Sequence, residues 1–240
     1  MIFALELKKM RRTGFAPIFL GGGLLAGAVP LIDTAVRTET FTRLPGEPFS
    51  ILMDANWSMM AQLTILLIVC GCCLIYHTEY AERGDLKMRT LPVSQIGLFC
   101  GKFGAALLYT LAALVFQGMA LAFSGFYWFP EGIADFPKLF AGMGYELAML
   151  LPTLALMLLI ASFCQNMWGS LGAGVILTFL GSMIHGEHLT LTMLPFAAPY
   201  RTLYGTSAAD VKTGLAICAI QTLLFLLIEI IYLRERRLHV

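Results

Sequence analysis

The chain has 240 residues, of which 58% are hydrophobic and only 13% are charged. A soluble domain contains roughly 45–50% apolar residues, so this composition excludes an ordinary soluble fold and predicts a protein that crosses the membrane several times. The formal net charge of +1 says little, because in such a protein the location of the charges carries the information, and nucleic-acid binding has no support.

Residues 1–14 are predicted to form an amphipathic helix that lies in the membrane interface. Phe3, Leu7 and Met10 recur at helical spacing, and basic residues occupy positions between and beside them. The alternative is that these charges only set the topology and form no structure of their own. The basic residues concerned are Lys8, Lys9, Arg11 and Arg12.

Six apolar windows follow, each about long enough to cross the roughly 30 Å hydrocarbon core as a helix. Backbone N–H and C=O groups have no water to bond inside the bilayer, so a helix is the expected form of each window. The predicted fold is therefore all-α, a single membrane domain over residues 1–240 with six transmembrane helices. The windows cover residues 15–32, 57–76, 103–123, 139–163, 168–184 and 214–233.

The distribution of lysine and arginine predicts how this domain is oriented. An even number of spans places both termini on one side of the membrane. Eleven of the sixteen basic residues lie at the termini or between the second and third windows, and five lie in the other connections. Because basic residues accumulate on the cytoplasmic side, both termini and residues 77–102 are expected to be cytoplasmic.

The connection before the last window differs from the others. Its middle, from Leu189 to Tyr200, is apolar but too short to cross, and it contains Pro195. This pattern predicts a re-entrant or interfacial hairpin that is broken at the proline. Irregular backbone at that depth would have to be shielded by protein or water.

Residues 77–102 form a polar, basic loop between two apolar windows. No phosphate-binding motif occurs in the sequence, so the chain is not expected to hydrolyse ATP. Energy from ATP would have to enter from another subunit, and this loop is the candidate contact. Glu79 and Arg83 are four residues apart, as are Asp85 and Arg89, which allows short helical turns with ion pairs.

Gly84 separates those two turns, and Pro92 ends the second of them. Ser94 can then act as the N-cap of the next helix. An ordinary solvated loop is the alternative interpretation of the same stretch.

The loop and the residues that follow it contain a recognisable pattern, made of Glu79, Gly84, Lys87, the run Leu91, Pro92, Val93 and Ser94, and the pair Gly101 and Lys102. This pattern resembles that of ABC-2 type transporter permeases. The resemblance includes the basic amphipathic start, the six spans and the hairpin, and the small size is similar to the permease subunits of bacterial lantibiotic self-protection transporters.

The resemblance implies a permease subunit of an ATP-driven exporter in a bacterial plasma membrane, which expels a lantibiotic or a similar antimicrobial peptide. Two permease chains, alike or unlike, would assemble with two ATP-binding subunits. Those subunits would hold ATP and Mg²⁺, and this chain would carry no cofactor, metal or catalytic residue. The N-terminal basic helix would also contact the ATPase. The implied coupling-loop residues are Glu79, Gly84, Asp85, Lys87, Arg89, Leu91 and Pro92.

Glu146 is the most notable polar residue within an apolar window. A carboxylate there is costly unless it is protonated, paired or facing water, so Glu146 is a candidate for a substrate path. It could instead be hydrated near the outer interface or bonded to a neighbouring helix.

Two other classes of function stay open. A membrane-embedded hydrolase would use Glu146 or the cluster of His185, Glu187 and His188, although that cluster lacks the third ligand and the stable helix that a catalytic zinc needs. Such an enzyme would act without any ATPase. A non-catalytic scaffold or sensor subunit would tolerate changes both there and in the loop.

Overall fold

The structure is a computed structural model that describes residues 2–80, 94–129, 135–164, 166–184 and 189–238. Within these ranges every regular element is a helix and no strand occurs, which confirms the all-α prediction. In chain order the elements are α1 (Ile2–Arg12), α2 (Phe15–Val36), α3 (Thr38–Thr42), α4 (Pro48–Tyr80), α5 (Gln95–Trp128), α6 (Phe136–Phe163), α7 (Met167–Met183), α8 (Leu189–Thr192), a 3₁₀ turn (Ala198–Tyr200) and α9 (Ala208–Leu238).

Among the described residues, five helices are long and apolar enough to cross a membrane, namely α2, α4, α5, α6 and α9. Helix α7 is also apolar but has only 17 residues. At about 1.5 Å per residue it measures about 26 Å, slightly less than the roughly 30 Å hydrocarbon core. Length and composition therefore support five of the six predicted spans.

Side-chain contacts show that α4 and α5, which follow each other in the chain, run in opposite directions. Lys102 near the start of α5 bonds to Glu79 at the end of α4, and Gln117 further along α5 donates to Thr64 at 2.8 Å. The two helices are therefore antiparallel. We name the end of the bundle that carries Glu79 the loop end, because residues 81–93 follow α4 there, and the opposite end the far end.

Both ends of the described chain lie at the loop end. The Tyr80 hydroxyl of α4 donates to the carbonyl of Ser162 in α6 at 2.8 Å, and the Ser162 hydroxyl donates to Glu229 of α9 at 2.7 Å. Helix α1 reaches the same end, since Lys9 bonds to Glu79.

Helix α4 begins nine residues before its predicted window, and Glu47 explains why. Its carboxylate accepts hydrogen bonds from the backbone N–H groups of Phe49 and Ser50, which would otherwise lack partners in the first turn. Pro48 suits the first helical position because no N–H is needed there. Burial raises the pKa of Glu47, but hydrogen bonds from Ser50, Asp135 and Phe49 outweigh it and hold the pKa below its ordinary value of 4.5.

Helix α5 also extends beyond its predicted window of 103–123. Its first turns contain Lys102, which a hydropathy window excludes but which the packed bundle buries. Ser94 caps the helix by accepting from the N–H of Gly97 at 3.3 Å, which confirms the predicted N-cap.

Helix α1 packs against the bundle through the apolar face that its sequence indicates. Met10 is buried, and a Cβ placed on Gly104 of α5 would lie 3.2 Å from the ring of Phe3. Residues 2–12 are thus helical, in agreement with the predicted amphipathic helix rather than with unstructured topology charges.

From residue 189 to residue 204 the chain makes short helical and turn elements instead of a further long helix. Residues 189–204, which we name the far segment, lie at the far end, where the Thr202 hydroxyl donates to Asp54 of α4 at 3.2 Å. The residues from Phe196 to Ala198 are buried. Helix α8 ends at Thr192, and turns follow across the predicted break at Pro195.

Candidate functional site

The most concentrated group of buried charges at the loop end surrounds Glu79, in the last turn of α4. One carboxylate oxygen accepts from the Lys9 ammonium of α1 at 2.5 Å, and the other accepts from the Lys102 ammonium of α5 at 2.6 Å. We name Glu6, Lys9, Glu79 and Lys102 the ion cluster. Hydrogen bonds to charged groups at such distances are stronger than neutral ones, so the cluster joins three helices firmly.

Lys102 is buried because its ammonium has two partners. Besides the bond to Glu79, its Nζ atom lies 4.6 Å from the centre of the Tyr76 ring, one helical turn before Glu79 on α4. The negative face of an aromatic ring attracts a cation, which offsets part of the cost of removing the ammonium from water. The ion pair between Lys102 and Glu79 thereby connects the last turn of α4 to the first turns of α5.

Glu6 lies beside this arrangement in α1 and is only 2% exposed. Its Oε2 atom has no hydrogen-bond partner in the described part of the chain. Burial raises the pKa of Glu6 above its ordinary value of 4.5, and the charges of Lys9 and Lys102 oppose that rise. The cluster therefore holds two ammonium groups, one firmly paired carboxylate and one carboxyl whose charge burial disfavours.

Only one of the predicted coupling-loop residues, Glu79, falls within the described residues. The others lie outside them, and so do Arg83, the predicted partner of Glu79, and the cluster of His185, Glu187 and His188. The described structure brings Glu79 to Lys9 and Lys102 instead. The coupling residues that lie outside are Gly84, Asp85, Lys87, Arg89, Leu91 and Pro92.

The N-terminal basic residues separate into two groups. Lys9 is half-buried and belongs to the ion cluster, whereas Lys8 is exposed and makes no ion pair within the described ranges. Arg11 and Arg12 lie in the last turn of α1. The amphipathic pattern predicted the helix, but spacing within one helix could not distinguish Lys9 from its neighbours.

Glu146 occupies the interior of the bundle in α6. Its side chain is 1% exposed, and neither carboxylate oxygen has a hydrogen-bond partner in the described part of the protein. Burying a carboxylate without a partner costs free energy, so Glu146 remains a candidate functional residue. It lies in a different region from the ion cluster.

A comparison with protein-family models gives a match over residues 2–181 to the family described as ABC-2 family transporter protein. The chain belongs to this family. The match includes α1 through α6 and α7 up to Gly181, and with them all four residues of the ion cluster. No curated protein and no solved structure matches the chain.

As an ABC-2 family member, the chain is a membrane permease of an ABC transporter. Permeases of this family are transport subunits that are generally not catalytic, and they normally work in the lipid bilayer with an ATP-binding subunit. The far segment and α9 follow the matched residues.

Proposed function

We propose that the permease is one subunit of an ATP-driven exporter and that the ion cluster couples it to a separate ATP-binding subunit. The observation that supports this is the position of Glu79, whose carboxylate joins α1, α4 and α5 where the chain leaves the bundle towards residues 81–93. A partner that displaced this loop would act on three helices at once. ATP and Mg²⁺ would be held by that partner, and a second permease chain, identical or different, would complete the exporter.

The proposed contact surface for the ATP-binding subunit combines the loop with the exposed side of α1. Lys8 is exposed on α1 and Arg11 and Arg12 end that helix, while Lys9 on the same helix is bonded to Glu79. Helix α1 could therefore present basic groups to a partner and remain bound to the bundle. The loop residues would be Gly84, Asp85, Lys87, Arg89, Leu91 and Pro92.

Co-purification tests the coupling proposal. We expect an ATP-binding subunit to co-purify with the permease in mild detergent from its native host, and to be lost when Leu91 and Pro92 are both replaced by alanine. The matched control replaces Leu44 and Pro45, a second Leu-Pro pair, which lies between α3 and α4 in a predicted external connection. This control is expected to retain the ATPase.

A chain that purifies alone, and that keeps its cellular activity after the Leu91 and Pro92 change, would contradict the exporter. That result would favour a membrane hydrolase or a scaffold subunit.

For the cargo, we propose a lantibiotic or similar cationic antimicrobial peptide that is removed from the membrane and released outside. The support is the sequence resemblance, together with eight acids against five bases in the predicted external segments. The structure pairs several of those acids locally, as in Asp33 with Arg37 and Asp135 with Lys138. Because the positive-inside bias also leaves acids outside, the resemblance is the main argument.

The tolerance of a host strain to an added antimicrobial peptide tests the proposed cargo. A host that expresses the permease with its ATPase should tolerate more of a lanthionine peptide such as nisin than the Leu91 and Pro92 variant does. Glu146→Gln tests the substrate path, since it should lower tolerance without releasing the ATPase. Equal sensitivity of wild type and loop variant would rule out this cargo, and full tolerance of Glu146→Gln would remove Glu146 from the path.

We also propose that α7 is a sixth span and that both termini are cytoplasmic. The support is the opposite directions of α4 and α5 and the asymmetry of basic residues. Alkaline phosphatase, which is active only outside the cytoplasm, should be active when fused after residues 44 and 186 and inactive after residue 90. Inactivity at 186 together with activity at 44 would show that α7 does not cross.

A further inference from the structure

The far segment is held by side chains from three separate helices, each of which donates to one of its carbonyl groups. The indole N–H of Trp57 in α4 donates to Pro199 at 2.9 Å, and the amide of Gln221 in α9 donates to Met193 at 2.9 Å. The hydroxyl of Thr153 in α6 donates to Pro195. No single helix of the bundle therefore determines where the segment lies.

These bonds have a physical reason. Residues 195–199 of the segment are buried, and the segment is not one continuous helix, so some of its carbonyl groups lack the usual partner four residues along the chain. A buried carbonyl without a donor loses the free energy of its hydration, and the three donors remove that cost at fixed positions. Any movement of a donor helix must therefore take the segment with it or break a bond.

Helix α4 is the only one of these three donors that also carries a residue of the ion cluster within the described chain. Trp57 and Glu79 lie on one uninterrupted helix, about 33 Å apart at about 1.5 Å per residue. Helix α6 contains Pro152 directly before Thr153, whereas α4 has its only proline, Pro48, in its first position. A proline inside a helix removes a backbone hydrogen bond, so α4 is the stiffer connection.

We propose that α4 transmits displacement of the ion cluster to the far segment, with Trp57 as the positioning residue at the far end. The link itself is independent of any partner, and its use in transport rests on the proposed function. Because such coupling is reciprocal, a change at Trp57 should also change the local stability of α1. Tyr200, which donates to Gln62 of α4 at 2.5 Å, adds a second contact between this helix and the segment.

Amide hydrogen exchange of the purified permease in lipid nanodiscs tests the link without an ATPase or a cargo. Glu79→Gln should accelerate exchange in residues 194–201 by about threefold to tenfold, the effect on local opening expected from the loss of roughly one hydrogen bond. Lys8→Met, at an exposed charge of the same end, is the control and should not change exchange in residues 194–201.

Trp57→Phe tests the link from the other end. It keeps a ring but removes the N–H donor, and it should accelerate exchange both in residues 194–201 and in residues 3–10 of α1. Trp168→Phe, at a tryptophan of α7 that is 73% exposed, is the matched control. Faster exchange confined to residues 194–201 would overturn the link, even if co-purification had established the exporter. A failure to recover an ATPase would leave this result unaffected.

Discussion

Replacing Glu79 with glutamine is expected to destabilise the permease by roughly 3–5 kcal/mol, the range found when one partner of a buried ion pair is removed. Glutamine has nearly the shape of glutamate, so the packing changes little. The loss comes from the charge, because the buried Lys102 ammonium and the half-buried Lys9 ammonium would lie close together without a carboxylate between them. Helix α1 should detach first.

The six cysteines offer a native probe for this measurement. All six are free, and Cys72, Cys73 and Cys218 are buried, so a thiol-reactive dye reports unfolding in detergent as these groups become accessible. The midpoint of thermal unfolding should fall clearly for Glu79→Gln. Partial proteolysis should release α1 from the variant sooner than from the wild-type chain.

Glu39→Gln provides the control for Glu79→Gln. Glu39 also forms an ion pair, with Arg43 at 3.0 Å, but its side chain is 86% exposed. Exposed pairs contribute little because water screens both charges, and we expect no measurable change in the midpoint. Equal effects of the two substitutions would show that the ion cluster does not hold the loop end together.

Gly181→Ala is expected to have the second large effect, at the opposite end of the molecule. A Cβ at Gly181 of α7 would lie 2.1 Å from the carbonyl oxygen of Phe196 in the far segment. This oxygen belongs to the backbone and cannot rotate away as the end of a long side chain can. Helix α7 and the far segment would therefore have to separate. Overpacking of this kind costs typically 1–3 kcal/mol or more.

Gly172→Ala, in the same helix, is the matched control for Gly181→Ala. Beyond the local helix backbone, no atom of the described residues lies within 4 Å of a Cβ at Gly172, and alanine is the better helix former. This variant should therefore match or slightly exceed the wild-type midpoint, while Gly181→Ala should fall below it and show faster exchange in residues 194–201. If Gly181→Ala behaved like Gly172→Ala, the close approach of α7 to the far segment would be contradicted.

The two substitutions affect opposite ends of the bundle, which makes them informative about transport. Glu79 lies where an ATP-binding subunit is proposed to act, and Gly181 lies where the far segment meets α7. If α4 joins these ends as proposed, Glu79→Gln should disturb the far segment as well as α1. The effect of Gly181→Ala, in contrast, should stay greatest in the far segment.

Local sequence features predicted some details of the site region correctly. Ser94 was predicted to cap the helix after the polar loop and does so, because an N-cap depends only on residues a few positions apart. The N-terminal helix was predicted over residues 1–14 for a similar reason, since its apolar residues recur at helical spacing, and the structure has it over Ile2–Arg12.

The partners of Glu79 could not be predicted in this way. Its nearest opposite charge along the chain with helical spacing is Arg83, whereas the residues that bind it are 70 and 23 positions away. The available signal was Lys102 itself, a lysine directly followed by an apolar window, whose burial requires an anionic partner. The sequence could not indicate which acid this partner would be.

What the sequence by itself determined is the class of the molecule: apolar composition and window length require helices that satisfy their own backbone in lipid, and the loop residues resemble those of the ABC-2 family. What only the tertiary structure decided is which distant groups meet, as Glu79 meets two lysines and Trp57 meets Pro199. The physical reason is the separation along the chain over which each kind of interaction acts. Helix formation depends on neighbours within a few residues, whereas a buried charge or carbonyl takes its partner from whichever helix packs beside it.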